Sequence, residues 1–565
     1  MTFELQGALT CKGRVLDWRH QPLIAHDPVE AWQGLLQARG LTETDNFFTP
    51  ALSNLPDPML MKDMEKASVR LLCAIQNHEK IHVFGDFDCD GVSGTCILVE
   101  ALSAAGAEVT YSIPHRADDG HGIGADVVEK AFAEGAKLGL SVDTGTTCFE
   151  ACARAQDLGF DLIITDHHLP GEKLPKAFAL LNPARDDCGF ADRLLCGTGV
   201  AFFLLMAVWK RLADKESKPA YDLRQLLDRV AMATVADVMK LQGANRVLVY
   251  HGLKQLRSAP SVGMSALLNI AKVNRRKISV DTIGFYLAPR INAAGRMQYG
   301  EDAMKLLCCH DELEAESLAQ VLDGYNLERR KVEATTFKEA TEQLKLSAKP
   351  DVLAVYDPTW HAGVVGLAAG RLARQHGRPA AVGFVDGDKR IRVSLRGVKG
   401  FHIGELLNDC SVHLDGFGGH AGAGGGTVKE GEWAGFATAF EVAINKQQAG
   451  EHHQMLDIDG ILSLPSLHIG LATRLSRFEP TGQGNASCVW LLHDVSIVDI
   501  KRLKGGVIRL QLSDGQCFVP AVAFRGTQLF AGIEAGVCVS LIGHLQKDDY
   551  RGGDNIQFVV EDILV

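Results

Sequence analysis

The chain has 565 residues, 46% hydrophobic and 22% charged, with a net charge of −11. This allows roughly three or four globular domains and excludes a chain that coats nucleic acid by overall basic charge, though a local basic groove stays open. The 14 cysteines form no CxxC pair, which argues against a zinc ribbon or disulfide framework and for a reducing cytoplasm; no signal-peptide layout opens the sequence, and no apolar run reaches the ~18–20 residues of a membrane span.

From residue 80 short β-branched runs alternate with helical stretches. KIHVF (80–84), EVTYSI (108–113), KLGLSVD (137–143), DLIITD (161–166) and AFALLN (177–182) read as strands. Helices fill the gaps between most of them, a pattern that predicts a parallel, doubly wound α/β sheet. Acids gather where these strands end. Asp86, Asp88 and Asp90 follow the first strand, Asp143 ends another, and Asp166, His167 and His168 end a third. Asp237, closing the apolar stretch RVAMATVADV, is placed to join from above. Open α/β sheets collect ligands at the carboxyl ends of their strands.

Carboxylates this close repel unless a cation lies between them. An EF-hand loop counted from Asp86 meets its first requirements, but position 12 is Ile97, which cannot ligate. A set of carboxylates with one or two imidazoles suits Mn²⁺ or Mg²⁺ better than zinc. The set is too large for one ion, so a pair of ions hydrolysing a phosphate ester or anhydride is expected.

GDFDCDG, SVDTG, ITDHHLPG and ATVADV, in this order, resemble the motifs of the DHH phosphoesterases. WHAGVVGLAAGRL (360–372) and FGGHAGAGG (417–425) resemble the associated DHHA1 domain. Within the superfamily the sequence is most similar to the bacterial RecJ exonuclease family, through FFTPALSNLPDPMLMKDMEKA (47–67), LAPRINAAGRM (287–297), EPTGQGN (479–485) and the ending HLQKDDYRGGDNIQFVVEDI. The resemblance implies an α/β protein: an N-terminal helical segment packing on the catalytic domain (1–75), a parallel-sheet DHH domain (76–325), a long connecting helix (326–348), an α/β DHHA1 domain (349–448), a linker (449–486) and an OB-type β-barrel (487–565). It implies Asp88 and Asp237 as ligands of one metal, Asp90 and His167 of the other, and Asp143 as the bridging carboxylate. Asp86 and Asp166 support the cluster, Asp86 reaching toward a metal or its water, and His168 contacts the phosphate.

In the second half, NLERRKVEATTFKEATEQLK (326–345) has no Gly or Pro and reads as one helix joining two domains. KRIRVSLRG (389–397) and GGHAGAGGG (418–426) combine arginine with glycine-rich backbone, both suited to phosphate. The family pattern G-S-x-R-S for the 5′-phosphate is met only in Ser394 and Arg396 of Val393-Ser394-Leu395-Arg396-Gly397. By the same resemblance Arg116, Arg290, Asn292, Arg296, His361 and His420 are expected to line the DNA path. The last ~80 residues alternate as five strands of an OB-type barrel, a fold common among single-strand binders. The residues alone leave DNA and protein as ligands of this barrel; the resemblance favours DNA.

The function expected is hydrolysis of single-stranded DNA from the 5′ end in recombination and repair. Its partners would be single-stranded DNA, a helicase and a single-strand-binding protein, with no membrane, and the chain would act as a monomer in the cytoplasm. A superfamily hydrolase of oligoribonucleotides or cyclic dinucleotides is the first alternative. A non-catalytic DNA-binding scaffold is the second, disfavoured because every acid of the motifs is present.

Overall fold

The computed structural model describes the chain except for residues 1–4, 21–22, 115–121, 215–220, 298–299, 347–351, 448–454, 549–554 and 565. The catalytic sheet has five strands in the order Val109–Ser112, Ile81–Phe84, Leu138–Val142, Asp161–Thr165 and Ala179–Leu181. All four pairings are parallel, as the alternation predicts. Such a sheet buries both faces. Ile81, Val83 and Leu140 pack against residues of the helices Met64–Gln76, Cys89–Ala104 and Gly197–Asp214. Phe84, Leu162 and Ile164 pack against Ala125–Ala133 and Phe149–Leu158 on the other face. The chain leaves Ile81–Phe84 toward one edge and returns on its other side with Leu138–Val142. The switch point of the sheet therefore lies between the strands that end in Asp86 and Asp143.

The connecting helix is longer than expected: it runs from Glu312 to Leu346, 35 residues, and starts inside the catalytic unit. Ala315, Ala319 and Leu322 are buried in that unit's core, whereas Ala340 and Leu344 belong to the core of the next. Tertiary burial extends the helix across the less regular stretch before residue 326. The second α/β unit has a mixed sheet ordered Leu414–Gly419, Ala423–Val428, Ile391–Arg396, Ala380–Val385 and Ala354–Tyr356, parallel only in the last pair.

The barrel strands Trp490–Arg502, Ile508–Ser513, Phe518–Ala523, Ile556–Leu564 and Cys538–Lys547 close on themselves, since the first pairs with both the second and the last. Trp490, Leu512, Leu541 and Phe558 fill the interior. The N-terminal segment corrects the expectation that it rests on the catalytic domain as helix. Val15–Trp18 and Ile24–Ala25 are strands that pair in parallel with Met455–Ile458 and Gly460–Leu462. The helix Pro28–Ala38 buries Trp32 and Leu35 in the core of the barrel. The later part of this segment, Leu52, Leu55, Met59, Met61 and the helix Met64–Gln76, packs into the core of the catalytic sheet. Strands of two to four residues have too little periodicity to announce a partner 440 positions away.

Candidate metal centre

The loop after Ile81–Phe84 is shaped by its own carboxylates. Asp88 caps the helix Cys89–Ala104, its Oδ1 accepting the N–H groups of Asp90 at 2.9 Å and Gly91 at 3.1 Å. Position 91 has no room for a side chain, because a Cβ would lie 2.5 Å from the Asp86 nitrogen. Asp90, 1% exposed, is held at the start of Gly197–Asp214: Gly197 N–H donates to Oδ2 at 2.7 Å and Thr198 N–H to Oδ1 at 2.9 Å. The Thr198 hydroxyl adds a bond to the Asp90 carbonyl at 2.7 Å. Neither Gly197 nor Thr198 was expected at the site; nothing in their spacing links them to a loop more than 100 residues away.

Asp143 ends its strand with φ +61°, a left-handed conformation that costs a non-glycine residue energy and marks functional positions. Helix Leu227–Ala236 ends at Asp237, and Val238 behind it also has positive φ. His167 Nε2 lies 3.1 Å from Asp143 Oδ1, 3.5 Å from Asp237 Oδ2 and 3.9 Å from Asp90 Oδ2. Asp143 Oδ1 and Asp237 Oδ2 are nonetheless buried without a hydrogen-bond partner among the described residues. Three groups converge closely enough to share an ion: Asp86, Asp88 and Asp143; Asp90, His167 and Asp237; and Asp143, His167 and His168. Asp237 thus sides with Asp90 and His167 rather than with Asp88. Asp143 and His167 each fall into two of the groups.

Charge at this site is uncompensated. Burial, then repulsion from Asp90 and Asp88, holds the Asp143 carboxyl well above its ordinary range. Burial and the same two neighbours push Asp237 up to about 8, and burial lowers His167. Buried oxygens without partners, facing an unprotonated imidazole within a knot of acids, fit divalent cations. Asp166 differs. Burial would raise its pKa, but bonds from His168 and Thr146 outweigh this and hold it below the usual carboxylate range. Its partner His168 is raised to about 9, chiefly by that bond. Asp166 is therefore a buried anion that keeps a partly exposed imidazolium at the mouth of the site.

The remaining candidates divide. Asn292 joins the site, its Oδ1 accepting Cys89 N–H at 2.8 Å. Arg290 is turned away to Asp323 at 2.7 Å. Arg296 reaches across to the second unit and donates to the Gly363 carbonyl at 3.1 Å. His361 caps the helix Ala362–His376, its Nδ1 accepting Gly363 N–H. Ser394 and Arg396 share one face of their strand, and both lie over Gly366 of that helix, where a Cβ would come within 2.8 Å of Arg396 Nη2 and 3.6 Å of Ser394 Oγ. His420, in the turn between the glycine-rich strands, is exposed, with Nδ1 accepting Gly422 N–H at 3.2 Å. Arg116 lies outside the described residues.

Residues 80–234 match the DHH family, N-terminal domain; 349–446 match the DHHA1 domain, and 458–562 the RecJ OB domain. The single-stranded-DNA-specific exonuclease RecJ of Dickeya dadantii is 34% identical over 532 residues, covering 90% of this chain and 92% of its own. The chain belongs to the RecJ family. The RecJ of Escherichia coli is 33% identical, with 94% of this chain and 95% of its own covered. The crystal structure of RecJ from Thermus thermophilus in complex with Mn²⁺ superposes with a TM-score of 0.78 at 27% identity, over 97% of this chain and 80% of that one. The Mg²⁺ complex of the same RecJ gives 0.74 at 26% identity, over 97% of this chain and 78% of that one. The RecJ OB domain begins about thirty residues before the barrel boundary expected from sequence, so it takes in the strand Gly460–Leu462, which pairs with Trp490–Arg502.

Proposed function

We propose that this chain is a metal-dependent exonuclease that hydrolyses single-stranded DNA from the 5′ end to mononucleotides. The observation that carries the proposal is the convergence of Asp86, Asp88, Asp90, Asp143, His167 and Asp237 on one site, in a chain whose relatives are single-stranded-DNA-specific exonucleases. These six residues would hold two ions, Mn²⁺ or Mg²⁺, and such ions, when bound, supply Lewis-acid activation of water and charge neutralisation at phosphate.

The chain's own groups do the rest. Asp143, fixed by its strand end, and Asp90, held by two backbone N–H groups, keep the acids in place before substrate arrives. Asp166 fixes the His168 ring, so that its other N–H can donate to a phosphate oxygen beside the acids. Ser394 and Arg396 of the second unit would take the terminal 5′-phosphate, setting polarity, with His361 and His420 on the same unit and Arg296 bracing it against the helix Ala288–Met297. Arg290 would act indirectly, by holding its helix to the connecting helix. Beyond the site, a barrel cleft of about 520 Å³ is lined by Lys501, Arg509, Phe524 and Lys547, by Lys277 of the catalytic unit, and by the acids Asp499 and Asp548. Cations beside an exposed aromatic ring suit single-stranded DNA.

No described helix is long and apolar enough to cross a membrane. A cytoplasmic monomer working with a helicase and a single-strand-binding protein follows from the same reading. The test is 3′-labelled single-stranded DNA carrying a 5′-phosphate, incubated with Mn²⁺ and either the wild type or Asp143→Ala. Shortening from the 5′ end, abolished by the substitution and by chelator, is expected. Persistence of the DNA while dinucleotides or pyrophosphate are cleaved would replace the exonuclease by another hydrolase of the superfamily. Binding without cleavage would leave a scaffold.

A further inference from the structure

His168 must keep one orientation although its side chain is 59% exposed, and among the described residues Asp166 alone supplies an anchoring hydrogen bond to the ring. The backbone around it is closed by a second polar residue on a different strand. Asn182 follows the strand Ala179–Leu181 and is fully buried. Its Nδ2 donates to the Thr146 hydroxyl at 2.9 Å and to the His168 carbonyl at 2.8 Å, and its Oδ1 accepts Ala184 N–H at 2.8 Å. Thr146, 1% exposed, donates its own N–H to Asp166 Oδ2 at 2.8 Å. The other oxygen, Asp166 Oδ1, meets His168 Nδ1 at 2.7 Å.

These bonds form a closed ring: Asn182 to Thr146, Thr146 to Asp166, Asp166 to His168, and His168 back to Asn182. Both amide protons and the amide oxygen of Asn182 are used, so no isosteric change preserves the ring. An aspartate at 182 could still accept from the Thr146 hydroxyl, but it would present an oxygen where the His168 carbonyl needs a donor. Neither Asn182 nor Thr146 belongs to the carboxylate and imidazole groups that could hold an ion. The geometry points to Asn182 and Thr146 as positioning residues that act on the reaction through His168, by fixing the backbone and the anion that together aim its imidazole at the substrate phosphate. This rests on the phosphodiesterase reading given above.

The experiment is a double-mutant cycle read in two independent ways. With 5′-phosphorylated single-stranded DNA and Mn²⁺, Asn182→Ala is expected to lower kcat by about 10–100-fold, as outer partners of catalytic groups do. Mn²⁺ affinity, measured by electron paramagnetic resonance, should stay within about twofold. In the His168→Ala background, Asn182→Ala should cost less than about a further twofold, because its effect is already spent. Proton NMR supplies the second reading: a downfield resonance that disappears in His168→Ala identifies the His168 Nδ1–H, and it should shift or exchange away in Asn182→Ala.

An equal loss with and without His168 would overturn the proposal, as would a fall in Mn²⁺ affinity that accounts for the loss of rate. So would an unchanged downfield resonance. If Asn182→Ala does not fold, Thr146 decides: Thr146→Val removes the hydroxyl that Asn182 bonds and should show the same pattern, while Thr146→Ser should restore it. Equal behaviour of the two Thr146 variants would overturn the ring. If the wild type degrades no DNA, the exonuclease reading fails and the NMR arm alone decides whether the ring fixes His168.

Discussion

The His167 Nε2 and Asp143 Oδ1 atoms face each other at 3.1 Å, yet the buried oxygen accepts no hydrogen bond from any described residue. Two side chains so placed are arranged for a third body between them rather than for one another. This relationship has consequences for metal binding, pH and stability that can each be measured.

Mn²⁺ binding should strengthen as pH rises. Asp237 sits near 8 and Asp143 is also raised, so near neutrality the ion must displace protons. Titration calorimetry in buffers of different ionisation enthalpy should show proton release on binding, falling off above about pH 8. The sign for the apo protein is the reverse. Carboxyls with raised folded pKa values bind protons more tightly in the native state, so apo stability should fall as pH rises from the ordinary carboxyl range toward 8. Saturating Mn²⁺ should cancel that fall, adding about 2.7 kcal/mol at a free concentration of a hundred times Kd.

Gly197→Ala should cripple the metal site without replacing any of its carboxylates or imidazoles. Its Cβ would lie 2.6 Å from Asp143 Cα, so the strand end or the helix start must move. We expect Mn²⁺ affinity to fall by at least the roughly 10–100-fold seen for outer partners of metal ligands. Thr198→Val, which keeps the backbone bonds to Asp90 and loses only the hydroxyl bond, should cost less.

His82 should make the catalytic unit acid-sensitive. It is 6% exposed, with its two ring nitrogens bonded to Thr110 and Ser112 hydroxyls, and burial lowers its pKa to about 4. The unfolded chain takes a proton there near 6.5 and the native state does not, so the contribution of His82 is full above 6.5 and is lost as pH falls toward 4. Denaturant midpoints of wild type and His82→Gln should differ in their pH slope across that window, by on the order of 3 kcal/mol in total.

Arg246 should hold the barrel to the catalytic unit. Its guanidinium donates to the carbonyls of Phe47, Arg477, Phe478, Glu479 and Pro480 and stacks on Phe47 at 3.8 Å. With no carboxylate partner among the described residues, burial lowers its pKa to about 10. Arg246→Leu would strip donors from these carbonyls and should destabilise the chain by about 3 kcal/mol or more. Limited proteolysis near residues 477–485 should quicken in step.

The catalytic sheet is legible in the sequence because each strand is a run of apolar residues ended by chemistry. KLGLSVD and DLIITD match the observed Leu138–Val142 and Asp161–Thr165 closely. The acids and imidazoles that converge at the site were legible for the same reason. Their supports were not: Thr198 and Asn182 use ordinary polar side chains and backbone N–H groups from distant helices and strands, which leave no periodic trace. Arg290 shows the converse. It lies in a motif that resembles substrate-binding segments, but the ion pair with Asp323 of the connecting helix sets its direction, and only folding reveals that partner.

The pairing of Val15–Trp18 with Met455–Ile458 bears on how this protein is made. The first strand leaves the ribosome 440 residues before the strand it pairs with, an interval of roughly 20–90 s at ordinary elongation rates. Until then Trp32 and Leu35 have no core to enter, since the barrel that receives them is synthesised after the catalytic unit. A nascent chain should therefore finish its catalytic sheet while its own beginning is still exposed and open to chaperones.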